Sequence, residues 1–91
     1  MKISNIIGRA GGAVKNQFII KDDNGSEFFQ SYDSIIAKKD YSCEKVQIFL
    51  DSYYWDYSTT TGKYRNIFLG EDKKTPEKKI KSGEYILTNL N

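Results

Sequence analysis

Val14-Lys15-Asn16-Gln17-Phe18-Ile19-Ile20-Lys21-Asp22-Asp23-Asn24-Gly25-Ser26-Glu27-Phe28-Phe29 reads as a β-hairpin. β-Branched and aromatic residues crowd its first arm, as a pleated, half-buried strand requires. Asn24-Gly25 is the strongest short hairpin signal, because both central residues of a type I′ turn need positive φ. A turn centred there sets Asp23 against Ser26, Ile20 against Phe29 and Phe18 against Ser31. Phe18, Ile20 and Phe29 then line one side, and Ile19, Phe28 and Tyr32 the other. Both faces carry bulk, so the hairpin is expected to be covered on one face and partly on the other.

Working outward, Ile3, Ile6 and Ile7 form a short apolar opening that Gly8-Arg9-Ala10-Gly11-Gly12 interrupts. That glycine-rich segment matches neither the dinucleotide fingerprint nor the P-loop, since a strand follows it. It reads as a bend or bulge, with an anion-cradling nest as the alternative. Downstream, residues 33–38 suggest a short strand and residues 39–44 a polar turn. Lys45 to Asp51 alternates, with Val46, Ile48 and Leu50 facing one way. The chemistry then changes. Ser58-Thr59-Thr60-Thr61 offers helix N-caps. Tyr64, Ile67 and Phe68 follow at helical spacing over Lys63–Leu69, and Gly70 stands where a C′ glycine belongs. Thr75 reads as the cap of a second, surface helix with Pro76 at its first position and Gly83 as its stop. Glu84 to Leu90 is expected to return to the sheet as a last strand. The expected architecture is α+β: one domain over residues 1–91, a twisted antiparallel sheet of four to five strands, and two short helices late in the chain.

The inventory excludes much chemistry. The chain has 91 residues, no His and one Cys. Without His the commonest general base and the Ser-His-Asp and Cys-His systems are absent. Cys43, in a polar stretch between lysines, reads as a free thiol of a reducing compartment. A zinc site would have to use Cys43 and carboxylates, a poor ligand set, and no cofactor is expected. Asp51 and Asp56, which flank the aromatic cluster, are a weak divalent-ion candidate. No apolar run reaches the roughly 20 residues of a membrane span, and Met1-Lys2-Ile3-Ser4-Asn5 holds no signal-peptide core. A soluble, cytoplasmic, non-enzymatic protein is expected. Its net charge is +2, but unevenly distributed: residues 1–62 carry seven basic and eight acidic groups, residues 63–91 seven and four.

The aromatic surplus, 14% of residues, concentrates where those regions meet. Tyr53-Tyr54-Trp55-Asp56-Tyr57 is the most unusual stretch. Read as an extended segment, it puts Tyr53, Trp55 and Tyr57 on one face and Tyr54 and Asp56 on the other. One set is expected in the core and the other partly exposed as a recognition surface, since Trp and Tyr dominate binding hot spots. Tyr53, Tyr54, Trp55, Tyr57, Lys63 and Arg65 are the candidate partner-binding residues. The alternative is a nucleic-acid module in which Tyr rings stack on bases and Lys73, Lys74, Lys78, Lys79 and Lys81 follow the phosphates.

Asn16-Gln17-Phe18, Phe29-Gln30-Ser31-Tyr32, Tyr54-Trp55-Asp56-Tyr57-Ser58, Lys63-Tyr64-Arg65-Asn66, Phe68-Leu69-Gly70 and Lys79-Ile80-Lys81-Ser82-Gly83-Glu84-Tyr85 run in this order. In them the chain resembles a family of small phage- and prophage-encoded accessory proteins of unknown function. The resemblance implies an infected bacterial cytoplasm and a bacterial host protein as partner. A CRISPR-Cas effector or other defence component would fit, as for anti-CRISPR proteins. It implies no catalytic residue. The chain's near neutrality suits docking on a protein surface better than mimicry of nucleic acid.

Overall fold

The computed structural model describes residues 1–8, 10–42, 44–72 and 74–91. Among them, six strands and two helices follow one another. The strands are β1 (Lys2–Ile7), β2 (Ala13–Lys21), β3 (Ser26–Ser31), β4 (Ser34–Asp40) and β5 (Gln47–Asp51), then helices α1 (Thr59–Leu69) and α2 (Thr75–Ser82), then β6 (Tyr85–Thr88). They form one sheet in the order β1-β2-β3-β4-β5-β6. The expected α+β class, with helices late in the chain, is what is found. The strand beyond the expected four to five is β1, which pairs antiparallel with β2. Its apolar residues do not alternate cleanly, so sequence periodicity gave it no mark.

β1 to β5 form an antiparallel meander, but β6 lies parallel to β5, with Ile48 beside Tyr85 and Leu50 beside Leu87. A parallel neighbour needs a crossover, and α1 and α2 supply it. Both helices cover one face. Phe29, Ile36, Ala37 and Leu50 of the sheet bury against Phe68 of α1 and Tyr85 of β6, with Tyr64, Ile67 and Ile80 packed at the edges. Phe29 and Phe68 stack with ring centroids 5.9 Å apart.

The first hairpin is one residue out of the expected register. Ile19 pairs with Phe29 and Ile20 with Phe28. The loop has three residues rather than two. Asp22 N–H donates to Ser26 O at 3.0 Å, and the Asp22 carboxylate accepts from Asn24 and Ser26 N–H. Gly25 alone takes positive φ, +84°, while Asn24 does not. A turn closed by a left-handed glycine displaces the type I′ turn. Because side chains alternate, that single slip moves Phe29 and Ile19 to the helix-covered face and leaves Phe18, Ile20 and Phe28 on the other.

A bulge in the β3–β4 pair leaves Ile36 with no residue opposite, between the Gln30–Ile35 and Phe29–Ala37 pairs. Both Ile36 and Ala37 are consequently buried. β4 also runs on to Asp40, beyond the expected turn at Lys39, whose Nζ bonds Phe68 O at 2.6 Å. In β5, Ile48 and Leu50 face the core as expected, but Val46 lies outside the strand and is exposed.

Helix ends follow the sequence in large part. Ser58 Oγ accepts from Thr61 N–H, and Gly70 closes α1 in the left-handed region with φ +69°. The helix starts four residues before the expected Lys63, because capping begins at Ser58. In α2 the cap is not Thr75. Asp72 Oδ1 gathers the N–H groups of Lys74 and Thr75 and the Thr75 hydroxyl. A carboxylate three residues upstream replaces a hydroxyl here because it accepts several donors at once.

Candidate functional site

Residues 52–57 form consecutive turns, not an extended segment, so the expected alternation of faces fails. Asp51, almost fully buried at the end of β5, folds the chain over itself. Its Oδ2 accepts from Tyr53 and Tyr54 N–H, and its Oδ1 from Leu90 N–H. Burial raises the Asp51 pKa, but the N–H groups of Leu90, Tyr54 and Tyr53, with the Asn91 side chain, outweigh it and hold the carboxyl below its ordinary range.

The turns sort the aromatic residues differently from the expected grouping. Tyr53, Tyr54 and Tyr57 come together, with ring centroids 4.7 Å apart for Tyr53–Tyr54 and 5.5 Å for Tyr54–Tyr57. Tyr53 and Tyr57 are largely exposed. Trp55 turns away and half-buries under Arg65, whose guanidinium carbon lies 5.2 Å from the indole centroid.

Arg65 was expected at the surface and is instead buried, with 2% of it exposed. Its Nη1 donates to Trp55 O at 2.6 Å and to Asp56 Oδ1 at 3.1 Å, while Nε and Nη2 donate to Asn66 Oδ1. It braces the aromatic turns against α1 and exposes little of itself, at the floor of a groove that Lys63 also lines. Asp51 and Asp56, the weak divalent-ion candidate, serve separately in this scaffold, one collecting N–H groups and the other pairing with Arg65.

Tyr54 and Tyr57, but not Tyr53, border a cleft of about 280 Å³ that Tyr32, Ser31, Ser34, Ile36, Ser58 and Thr61 also line. Thr61 Oγ1 lies 3.4 Å from Ser31 Oγ and accepts from Ser58 Oγ, which ties β3 to the start of α1. Hydroxyl groups and rings therefore converge there, and no ionisable acid, Lys or Arg is among the lining residues. Sequence reasoning placed Tyr32 on a hairpin face and missed its part in this cleft. Tyr32 and Asp33 form the two-residue loop between β3 and β4, with Ser31 opposite Ser34. Tyr32 takes φ +54° and is 59% exposed. Glycine holds that first position in two-residue hairpins of the II′ kind. A bulky residue there is a rare outlier, and without glycine nothing in the sequence marked the turn.

A family model described as a family of unknown function, DUF8033, matches residues 1–84. The chain belongs to the DUF8033 family. No curated protein and no solved structure matches it. In this DUF8033 chain the basic candidates do not join the tyrosines. Lys63, exposed, lies with its Nζ 5.3 Å from the Tyr64 ring centroid and lines a separate groove with Arg65, Asn66 and Asp72. Of the C-terminal lysines, Lys73 lies outside the described residues, as does Cys43. Lys79 is engaged by Glu71 at 2.6 Å, and Tyr85 Oη donates to the same carboxylate oxygen. The hydrogen bond to Glu71 raises the Lys79 pKa. Burial, reinforced by Glu71, pushes the Tyr85 hydroxyl well above its ordinary range. Lys81 lies 3.8 Å from Glu77. Lys74 and Lys78 are exposed. No helix among the described residues is long and apolar enough to cross a membrane.

Proposed function

We infer that this chain is a non-enzymatic binding module that captures a partner protein through the tyrosine cleft between the β3–β4 loop and the 53–57 turns. Tyr32 carries the reading. Left-handed backbone costs a non-glycine residue about 1–3 kcal/mol and persists mainly where function needs it. Tyr32 gains little burial in return, since it is 59% exposed at the rim of the cleft that Tyr54 and Tyr57 also line. Tyrosine offers a large rigid ring with a hydroxyl at low entropic cost, which suits a protein partner. The cleft's lining has no group poised as a general base. The resemblance to phage accessory proteins makes a bacterial host protein the partner to test first, beginning with CRISPR-Cas effectors.

The test is Tyr32→Gly. Relief of strain, less the added freedom of glycine in the unfolded chain, is expected to raise stability by about 1 kcal/mol in urea unfolding. Titration against purified Cas effectors, and against proteins held by the parent chain but not by Tyr57→Ser, is expected to show binding at least about tenfold weaker. Lys63→Ala, outside the cleft, is expected to bind as the parent does. Undiminished binding of a Cas effector by folded Tyr32→Gly and Tyr57→Ser, or of the selected proteins by folded Tyr32→Gly, would remove the assignment.

A further inference from the structure

The Asn24-Gly25 step that closes the first hairpin is held at both ends and free in the middle. Asn24 N–H donates to Asp22 Oδ1 at 3.0 Å. Gly25 O accepts from Tyr41 N–H at 2.7 Å. Ser26 N–H, next in the chain, donates to Asp22 Oδ1 as well. Between these anchors, neither the Asn24 carboxamide nor the Gly25 N–H has a hydrogen-bond partner among the described residues. Asp23, Asn24 and Gly25 are all exposed. The chain has six asparagines, at positions 5, 16, 24, 66, 89 and 91, and Asn24 alone precedes a glycine. Several of the others are engaged through their side chains. Asn5 Nδ2 donates to Val14 O, Asn66 Oδ1 accepts from Arg65, and the Asn91 carboxamide bonds both Ile35 N–H and Ile35 O.

An asparagine followed by glycine carries a reaction within itself. The side-chain carbonyl carbon lies within reach of the next residue's backbone nitrogen, and closing on it makes a five-membered ring. Such an attack is intramolecular, so the two groups need no encounter in solution. A side chain on the following residue would crowd it, and glycine has none. Asparagine is accordingly among the thermolabile residues. A hydrogen bond that engaged the Gly25 N–H, or one that turned the carboxamide elsewhere, would compete with closure. Neither is made here. Gly25 itself takes φ +84°, which favours glycine at that position. The fold therefore keeps the reactive pair together and leaves both groups available.

We propose that Asn24 is a modification site at which the folded chain deamidates itself, with water as the co-reactant. The Gly25 nitrogen gives its proton to a solvent base, and its electron pair forms a bond to Asn24 Cγ. The Cγ–Nδ2 bond breaks, and Nδ2 takes a proton from solvent and leaves as ammonia. A cyclic imide then joins positions 24 and 25. Water adds to one of its two carbonyl carbons, and the bond from that carbon to the Gly25 nitrogen breaks. Opening at Cγ leaves aspartate at position 24. Opening at the main-chain carbonyl carbon leaves isoaspartate, whose backbone runs through the side chain and is one methylene longer. Either product adds a carboxylate beside Asp22 and Asp23. The net charge falls from +2 to +1, since 12 acidic residues become 13 against 14 basic ones. This turn lies at one end of β3 and the tyrosine cleft at the other, about 20 Å away over six residues. The inference thus stands independently of the binding reading.

Peptide mapping by mass spectrometry tests it on the full, folded chain incubated in heavy-oxygen water. Position 24 is expected to gain one heavy oxygen, as a mixture of aspartate and isoaspartate, at least about tenfold faster than any other asparagine. The rate is expected to rise from neutral to mildly alkaline pH, because the attacking nitrogen must lose a proton. A synthetic peptide of residues 20–28 reports the reactivity of the same step without the fold. The folded chain is expected to convert within about tenfold of that peptide's rate. Asn24→Gln alters an exposed residue without positive φ, so it is expected to match the parent by circular dichroism. It is also expected to keep its amide, because its ring closure would need one more atom. A folded chain that converts more than about tenfold slower than the peptide overturns the proposal. So does conversion at position 24 no faster than at Asn5 or Asn66, a rate that does not rise with pH, or an Asn24→Gln chain that deamidates at position 24 as fast as the parent.

Discussion

Arg65→Ala is expected to destabilise the domain by about 3 kcal/mol, lowering the melting temperature by roughly 15 °C. Arg65 is buried, and its donors reach the Trp55 carbonyl, the Asp56 carboxylate and the Asn66 side chain. The ion pair itself adds little, because Asp56 is 62% exposed and regains water when released. The larger losses are the carbonyl left without its donor and the stem that packed beside Trp55. Arg65→Lys should recover only part of this, since an ammonium cannot serve three acceptors from one planar fork. Trp55 reports the local consequence. It is the chain's one tryptophan, and its emission is expected to shift to the red as the turns loosen and water reaches the indole. A variant as stable as the parent, with unchanged emission, would show that the brace carries no weight.

Asp51→Ala is expected to cost a similar amount, about 3 kcal/mol, for a different reason. Three backbone N–H groups, from Tyr53, Tyr54 and Leu90, lose their common acceptor. A buried donor left unpaired costs about 1–3 kcal/mol, reduced where a turn can relax into water. Asp51→Asn should cost about half as much, because one oxygen remains to accept. The pH dependence has a definite sign. Asp51 has a folded-state pKa below its ordinary value, so its contribution is fully present above the unfolded pKa of about 4. It is lost as pH falls through the lower, folded value. Urea midpoints should therefore be level from neutral pH down to about pH 5 and decline below about pH 4. Asp51→Asn should show a shallower decline, but not a flat one. Asp40, bonded by Ser42, and Asp72, bonded by Thr75, are also held below the ordinary range and contribute to acid loss. An equal decline in parent and Asp51→Asn would remove Asp51 from the account.

These two residues also show where the sequence became hard to read. A buried arginine and a buried aspartate look like surface charges in a linear reading, since each residue type is mostly exposed. Their burial depends on partners ten and thirty-nine positions away, the Trp55 carbonyl and the Leu90 N–H. Alternation is the only local rule the aromatic segment offers, and it predicts an extended chain; Asp51 overrides it by gathering successive N–H groups. The β3–β4 turn went unmarked because a tyrosine stands where a glycine would have announced it.

By itself the sequence determined the α+β class, the alternation that faces Ile48 and Leu50 inward, a capping run over Ser58–Thr61 and the glycine stops at Gly70 and Gly83. These depend on neighbours within one turn or one strand, where residue type and spacing set the physics. Only the tertiary structure decided the hairpin register, the parallel return of β6, the burial of Arg65 and the convergence of Tyr32, Tyr54 and Tyr57 on one cleft. Each arises from contacts between distant segments. Moving a strand by one residue changes no local preference, yet it exchanges every side chain between the core and the open face.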